Sequence, residues 1–240
     1  MQSSKQLTRR TLGALAGGML ASAGVQARAE DSVDVDLQLA LAVDASGSVN
    51  AQRFALQKQG YVAAFRDPQV LKAITSGMIG SIAVCMYQWT GPRLQQLTAG
   101  WTRIDGEASA LAFAALVEAA PRRLFGGGTS VSGAIDFGVQ LFPGSGFRSL
   151  RRVIDVSGDG ANTSGRLASQ ARDEAVAAGV VINGLPILSV EPDLDEHYLN
   201  EVIGGPGSFI VPAKSFEVFA QAVRRKLILE IAGLAPNAAI

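Results

Sequence analysis

Near-continuous apolar runs alternate with amphipathic stretches along most of this chain, and that alternation leaves few folds open. "VDLQLALAV" (Val35–Val43) reads as a strand, "AQRFALQKQGYVAAFRD" (Ala51–Asp67) as a helix, and "GSIAVCMYQW" (Gly80–Trp89) as a second strand. A shorter strand is expected over Gln95–Ile104, then helices over Gly106–Ala120 and Thr129–Phe142. "RRVIDVSGDG" (Arg151–Gly160) reads as a strand, Arg166–Gly179 as a helix and Val180–Leu188 as a strand. A short helix at Asp195–Ile203, a last strand at Ser208–Ala213 and a last helix at Ser215–Ile231 complete the pattern. Strands that are apolar on both faces and separated by helices predict a doubly wound, mostly parallel central sheet with helices on both faces, Rossmann-like in outline. In such sheets ligands bind beyond the carboxyl ends of the strands.

Three oxygen-bearing side chains close the first strand. In "LAVDASGSVN" (Leu41–Asn50), Asp44, Ser46 and Ser48 fall at alternate positions. Alternate residues in extended chain can share a direction, and carboxylate and hydroxyl oxygens suit a hard cation. Alone, the same tripeptide pattern also reads as a capped loop before a helix. Two further segments carry the same chemistry. "FGGGTSVSGAI" (Phe125–Ile135) places glycines before Thr129 at a helix start, where Thr129 either caps the helix or reaches a metal. "VIDVSGDG" (Val153–Gly160) ends a strand with Asp159 between two glycines.

Asp44, Ser46, Ser48, Thr129 and Asp159, the last followed by Gly160, together resemble the metal-ion-dependent adhesion site of von Willebrand factor type A domains. Beyond the site, "RRVIDVSGDG", "INGLPI", "VIGGPGSFIVPA" and "RRKLILEIA" look like a bacterial subfamily known mainly as a domain of unknown function. The resemblance runs over about residues 33–231. It implies that Ser46 and Ser48 bind the cation directly, that Thr129 binds directly in one state and through water in another, and that Asp44 and Asp159 supply charge. It further implies magnesium, with manganese or calcium as substitutes, and a protein partner that offers a carboxylate to the open position of the metal. That is recognition rather than catalysis.

Other features limit the rivals. No Walker-type G-x-x-x-x-G-K-[ST] and no G-x-S-x-G elbow occurs. A magnesium-dependent phosphoester hydrolase and a scaffold stabilised by a structural metal stay as alternative readings. Cys85 is the only cysteine, so an internal disulfide and a thiolate zinc site are excluded. His197 is the only histidine and reads as a surface helix residue. The acids Glu191, Asp193, Asp195 and Glu196 read as a solvated helix start or as a second cation site. No basic cluster is interleaved with aromatics, so no nucleic-acid surface is expected.

The formal net charge is zero, but the first residues bias it: Lys5, Arg9, Arg10 and Arg28 face no acid before Glu30. "SKQLTRR", then "TLGALAGGMLASAGV", then "ARA" (Ala27–Ala29) has the three-part form of an export signal. Arg9-Arg10 followed by Thr11-Leu12 resembles a twin-arginine signal. The apolar stretch falls short of the ~20 residues a spanning helix needs. The expected organisation is a signal over residues 1–29, one domain over 33–231 and a tail over 232–240, in a periplasmic or secreted protein without a stable membrane span.

Overall fold

In the computed structural model, residues 32–234 are described. The expected export signal and residues 235–240 of the expected tail lie outside them. The elements in chain order are β1 (Val33–Asp34), β2 (Leu37–Asp44), α1 (Ala51–Phe65), α2 (Pro68–Thr75), β3 (Ile82–Trp89), β4 (Gln95–Ile104) and α3 (Glu107–Ala119). They continue with α4 (Val131–Leu141), β5 (Phe147–Arg148), β6 (Arg152–Gly158), α5 (Ala168–Ala177), β7 (Val181–Pro186), α6 (Leu194–His197) and α7 (Phe219–Ala232). A π-helical turn, Tyr198–Val202, extends α6.

The central sheet has the order β4-β3-β2-β6-β7. β2 pairs in parallel with β3 and with β6, β6 pairs in parallel with β7, and only β4 runs antiparallel, along β3. β2 therefore sits mid-sheet, which is why all eight of its residues are buried. Its side chains divide by parity. Leu37, Leu39, Leu41 and Val43 pack under α1, α2, α3 and α7, with Phe54, Val70, Phe113 and Leu227 among their neighbours in one core. Ala40 and Ala42 face the second core, built with Val131 and Ile135 of α4 and Ala171 of α5. The small side chains on that face let α4 lie close: a Cβ on Gly138 would fall 2.6 Å from the Tyr87 hydroxyl. No helix among the described residues is long and apolar enough to cross a membrane.

Three expectations need correction. The segment Asp67–Thr75 is a separate helix: Asp67 caps it, accepting from the N–H groups of Gln69 and Val70, and Pro68 stands in its first turn, where a missing N–H costs nothing. Ser208–Ala213 forms no regular strand. It meets β7 only through isolated bridges, Gly184 with Ile210 and Ile187 with Ala213: Val211 and Ala213 donate to the carbonyls of Gly184 and Pro186, but Pro186 of β7 has no N–H to return the bond between them. The last helix begins at Phe219, after a single 3₁₀ turn at Phe216–Val218, and runs to Ala232, past the expected start of the tail. It ends on Gly233, whose φ of 66° is the left-handed conformation that glycine adopts at little cost.

Candidate metal centre

The carboxyl end of β2 delivers Asp44 into the middle of the sheet edge. β6, its neighbour, delivers Asp159 beside it. Both side chains are fully buried. Asp44 Oδ1 accepts the N–H of Ser46 at 2.7 Å, which curls the chain so that Ser46 and Ser48 follow on the same side. Their hydroxyl oxygens lie 3.2 Å apart. Ser48 Oγ then donates to Asp159 Oδ1 at 2.5 Å, and the Asp159 N–H faces Asp44 Oδ2 at 3.4 Å. Four of the five residues thus form one hydrogen-bonded ring of oxygens, drawn from two neighbouring strands.

Thr129 arrives from the loop before α4. Ser130, not Thr129, caps that helix, accepting the N–H of Gly133 at 3.1 Å. Thr129 is therefore free of the capping role that the sequence left open for it. Its carbonyl accepts the N–H groups of Thr163 and Ser164, at 2.9 and 3.1 Å, which ties its loop to the one that follows Asp159. Its methyl group lies against Gly160, 3.8 Å from where a Cβ would sit. All five predicted residues are brought to one edge of the sheet.

The electrostatics at this edge are unusual. Burial pushes the Asp44 carboxyl up to about 7; the Ser46 N–H opposes this and the nearby Asp159 charge adds to it. Asp159 is raised too, again by burial, with the Ser48 hydroxyl and Arg53 pulling the other way. Two carboxylates held out of water without a full counter-charge disfavour their own ionisation. The nearest cation is Arg53 Nη1, 3.5 Å from Asp159 Oδ2. The same nitrogen donates a shorter bond, 2.8 Å, to the Ser48 carbonyl, so its charge is shared. A hard divalent cation fits this donor set of hydroxyl and carboxylate oxygens.

Sequence reasoning missed the residues that hold the ring in place. Gln57 of α1 donates to the Asp44 carbonyl at 3.1 Å from within the core. Arg122 donates to the carbonyls of Ala45 and Ser46, at 2.9 and 3.1 Å, and so fixes the turn between Asp44 and Ser48. The Tyr198 hydroxyl is buried and has no hydrogen-bond partner among the described residues. It lies 3.0 Å from the point where a Cβ on Gly158 would be, and Asp44 Oδ2 lies at the same distance from that point. Glycine at 158 is thus required by close approach. Only the Gly-Asp-Gly pattern hinted at any of this; polar residues scattered over α1, the α3–α4 loop and the π turn carry no shared spacing.

The other sequence candidates fall elsewhere. His197 is half-buried and its Nε2 faces the Asn162 N–H at 3.4 Å. Among the described residues no three His, Cys, Asp or Glu side chains gather as a metal cluster, so the acids at 191–196 make no second cation site of that kind. Glu191 instead accepts the Ala161 N–H at 3.1 Å, beside Asp159 in the chain. Cys85 is buried, and burial pushes its thiol up, as expected of an inert core thiol. A cavity of about 790 Å³ opens at the other end of β6 and β7, lined by Arg152, Val153 and Val181, and takes no part in this centre.

A family model described as "Protein of unknown function (DUF1194)" matches residues 34–235. No curated protein matches the sequence. Solved structures of similar fold include proximal thread matrix protein 1 from the mussel byssus, at a TM-score of 0.62 and 14% identity over 84% of this chain and 49% of that one. The same mussel protein is also known with a zinc-occupied MIDAS motif. A von Willebrand factor type A protein from Catenulispora acidiphila gives a TM-score of 0.54 at 11% identity, over 82% of this chain and 43% of that one. The pilus adhesin SpaC from Lactobacillus rhamnosus GG gives 0.56 at 12%, over 81% and 31%. The chain spans less than half the length of each. At these identities the likeness establishes the von Willebrand factor A fold and nothing finer.

Proposed function

The chain belongs to the DUF1194 family of proteins of unknown function, and we propose that it is an exported interaction module that binds a protein partner through a divalent cation. The observation that carries this reading is the pair of buried carboxylates, Asp44 and Asp159, ringed by serine hydroxyls at a sheet edge, with two arginines nearby, Arg53 and Arg122, that direct their donors largely to backbone carbonyls. A cation, magnesium in the first instance with manganese or calcium as substitutes, would supply the missing charge and an electrophilic position for an outside oxygen. Ser46 and Ser48 would hold it as neutral donors, Asp44 and Asp159 as charged ones, and Thr129 as the ligand able to engage or release. Few anionic ligands leave such a cation attractive to a partner's carboxylate. Arg122 and Gln57 keep the backbone of the ring in place through its carbonyl groups. Two proteins of similar fold, a pilus adhesin and a thread matrix protein, support a binding role over an enzymatic one. Residues 1–29 would direct export to the periplasm or beyond.

The test is titration calorimetry of the domain with magnesium and manganese, with Asp44→Ala as control. Binding that is lost in the variant, together with chelator-sensitive capture of acidic peptides, supports the reading. Failure of the wild type to bind either ion overturns it. A cation that raises the melting temperature without any carboxylate binding would point to the structural-metal alternative. Turnover of phosphoesters with magnesium would point to the hydrolase.

A further inference from the structure

Next to the metal centre stands an exposed aromatic ring that the centre itself does not need. Phe125 is 69% exposed, an uncommon state for a phenylalanine. It precedes the glycines of the loop that carries Thr129. The loop is not slack. Gly127 and Gly128 take φ values of 101° and 95°, and a Cβ on Gly127 would fall 2.3 Å from Leu94 Cδ1. Ser130, just beyond, donates its N–H to the Thr90 carbonyl at 2.7 Å. The guanidinium of Arg122 stacks on the ring of Phe125 at 4.9 Å while donating to the Ser46 carbonyl. Arg122 therefore couples the aromatic ring directly to the turn of the candidate metal site. Leu94, against the same loop, is 42% exposed.

Two arginines flank these apolar residues in the sequence. Arg93 precedes Leu94, and Arg123 lies two residues before Phe125. Both are exposed and neither has a carboxylate partner among the described residues. An apolar patch on a firm loop, flanked in the sequence by arginines without carboxylate partners and joined through Arg122 to the turn of the candidate site, is complementary to one kind of ligand.

We propose that Phe125 and Leu94 form an apolar subsite for the partner, which is an acidic protein segment carrying an aromatic or large aliphatic side chain next to the carboxylate that meets the cation. This rests on the metal-bridging reading above and adds its sequence preference. Phe125 would act as a contact anchor at the edge of the site, and Arg93 and Arg123 would favour further acids in the same segment.

The test uses short synthetic peptides with a single glutamate flanked by phenylalanine, leucine or serine, titrated against the domain in magnesium and in EDTA. Phenylalanine- and leucine-flanked peptides are expected to bind about tenfold or more tighter than the serine-flanked one, and only in magnesium. Phe125→Ala should erase that preference while leaving manganese affinity, read by calorimetry, unchanged; Phe125→Leu should keep most of it. Because Phe125 is largely exposed, the alanine variant should keep the wild-type melting temperature. Equal magnesium-dependent binding of all three peptides, or a preference that survives Phe125→Ala, overturns the subsite and leaves the metal-bridging reading intact; no binding of any peptide while the ion binds normally overturns the bridging of a carboxylate, and the subsite with it. Loss of ion binding in the wild type instead overturns the metal reading, and the subsite with it.

Discussion

Two buried groups of charge, both anchored on β6, are arranged in opposite ways. In the core, Lys226 of α7 is fully buried, 2.7 Å from Asp155 and 3.3 Å from Glu230. Asn183 donates to Glu230 at 2.7 Å and completes the group. At the sheet edge, Asp44 and Asp159 are just as buried but have only partial counter-charge: Arg53, shared with the Ser48 carbonyl, and Arg122, which donates to the carbonyls of the turn. The first pair of carboxylates has its own cation inside the fold. The second pair has no buried cation of its own among the described residues, which is what the proposed metal would supply. Asp155 and Ser157 alternate along β6 and Asp159 follows its last residue, so a distance of four residues separates a closed electrostatic unit from an open one. Position relative to the carboxyl edge decides which is which: helices cover Asp155, whereas loops surround Asp159.

The largest effect is expected from breaking the closed unit. Lys226→Met removes the cation paired with both Asp155 and Glu230, and a stranded buried charge costs ~3–5 kcal/mol. Chemical denaturation should show that loss, and adding Asp155→Asn with Glu230→Gln should recover part of it. A triple variant as unstable as the single one would show that packing, not charge, holds α7. Breaking the open unit should do the reverse to stability. Asp44→Ala should abolish detectable magnesium binding, a drop of at least about 100-fold or ~2.7 kcal/mol. It should leave the melting temperature in EDTA unchanged or raised, because an uncompensated buried carboxyl has gone. A large fall in EDTA would mean that Asp44 stabilises the fold without any metal.

The pH dependence sharpens the same contrast. The folded-state pKa of Asp44 is raised to about 7, above its unfolded value, so the folded domain holds the proton more tightly. Its contribution to stability is fully present below the unfolded pKa of about 4 and is lost as pH rises through 7. A bound cation would offset that loss. The gain in melting temperature from magnesium should therefore be larger at pH 8 than at pH 5; a gain independent of pH would remove Asp44 from the ligand set. The smallest effect is local. Ser130→Ala removes the cap of α4 and should cost about 1 kcal/mol, with cation affinity nearly unchanged if Thr129 alone of that pair serves the site.

Much of the fold could be read from apolar periodicity. β2, β3, β6 and β7 are continuous apolar runs because helices cover both of their faces, and that burial leaves its mark residue by residue. Elements held by pairing rather than by composition were harder to see. β1 and β5 are two-residue strands that pair only with each other. α2 was hidden because Asp67 looks like the end of α1 as readily as the cap of a new helix. Ser208–Ala213 has the composition of a strand, but Pro186 of the neighbouring β7 interrupts its ladder.

The same division runs through the site. Asp44, Ser46 and Ser48 stood out as candidates by spacing, because alternate residues in extended chain can share a direction. Thr129 and Asp159 could be linked to them only through a resemblance, since nothing local joins residues from three loops. The tertiary structure alone decided the rest: that Gln57 and Arg122 brace the turn, that Phe125 stands beside it, and that Lys226 closes one charge group and leaves the other open. Periodicity and turn chemistry act between near neighbours in the chain and are written there. Compensation of buried charge acts through space, and it is settled only when the strands and helices pack.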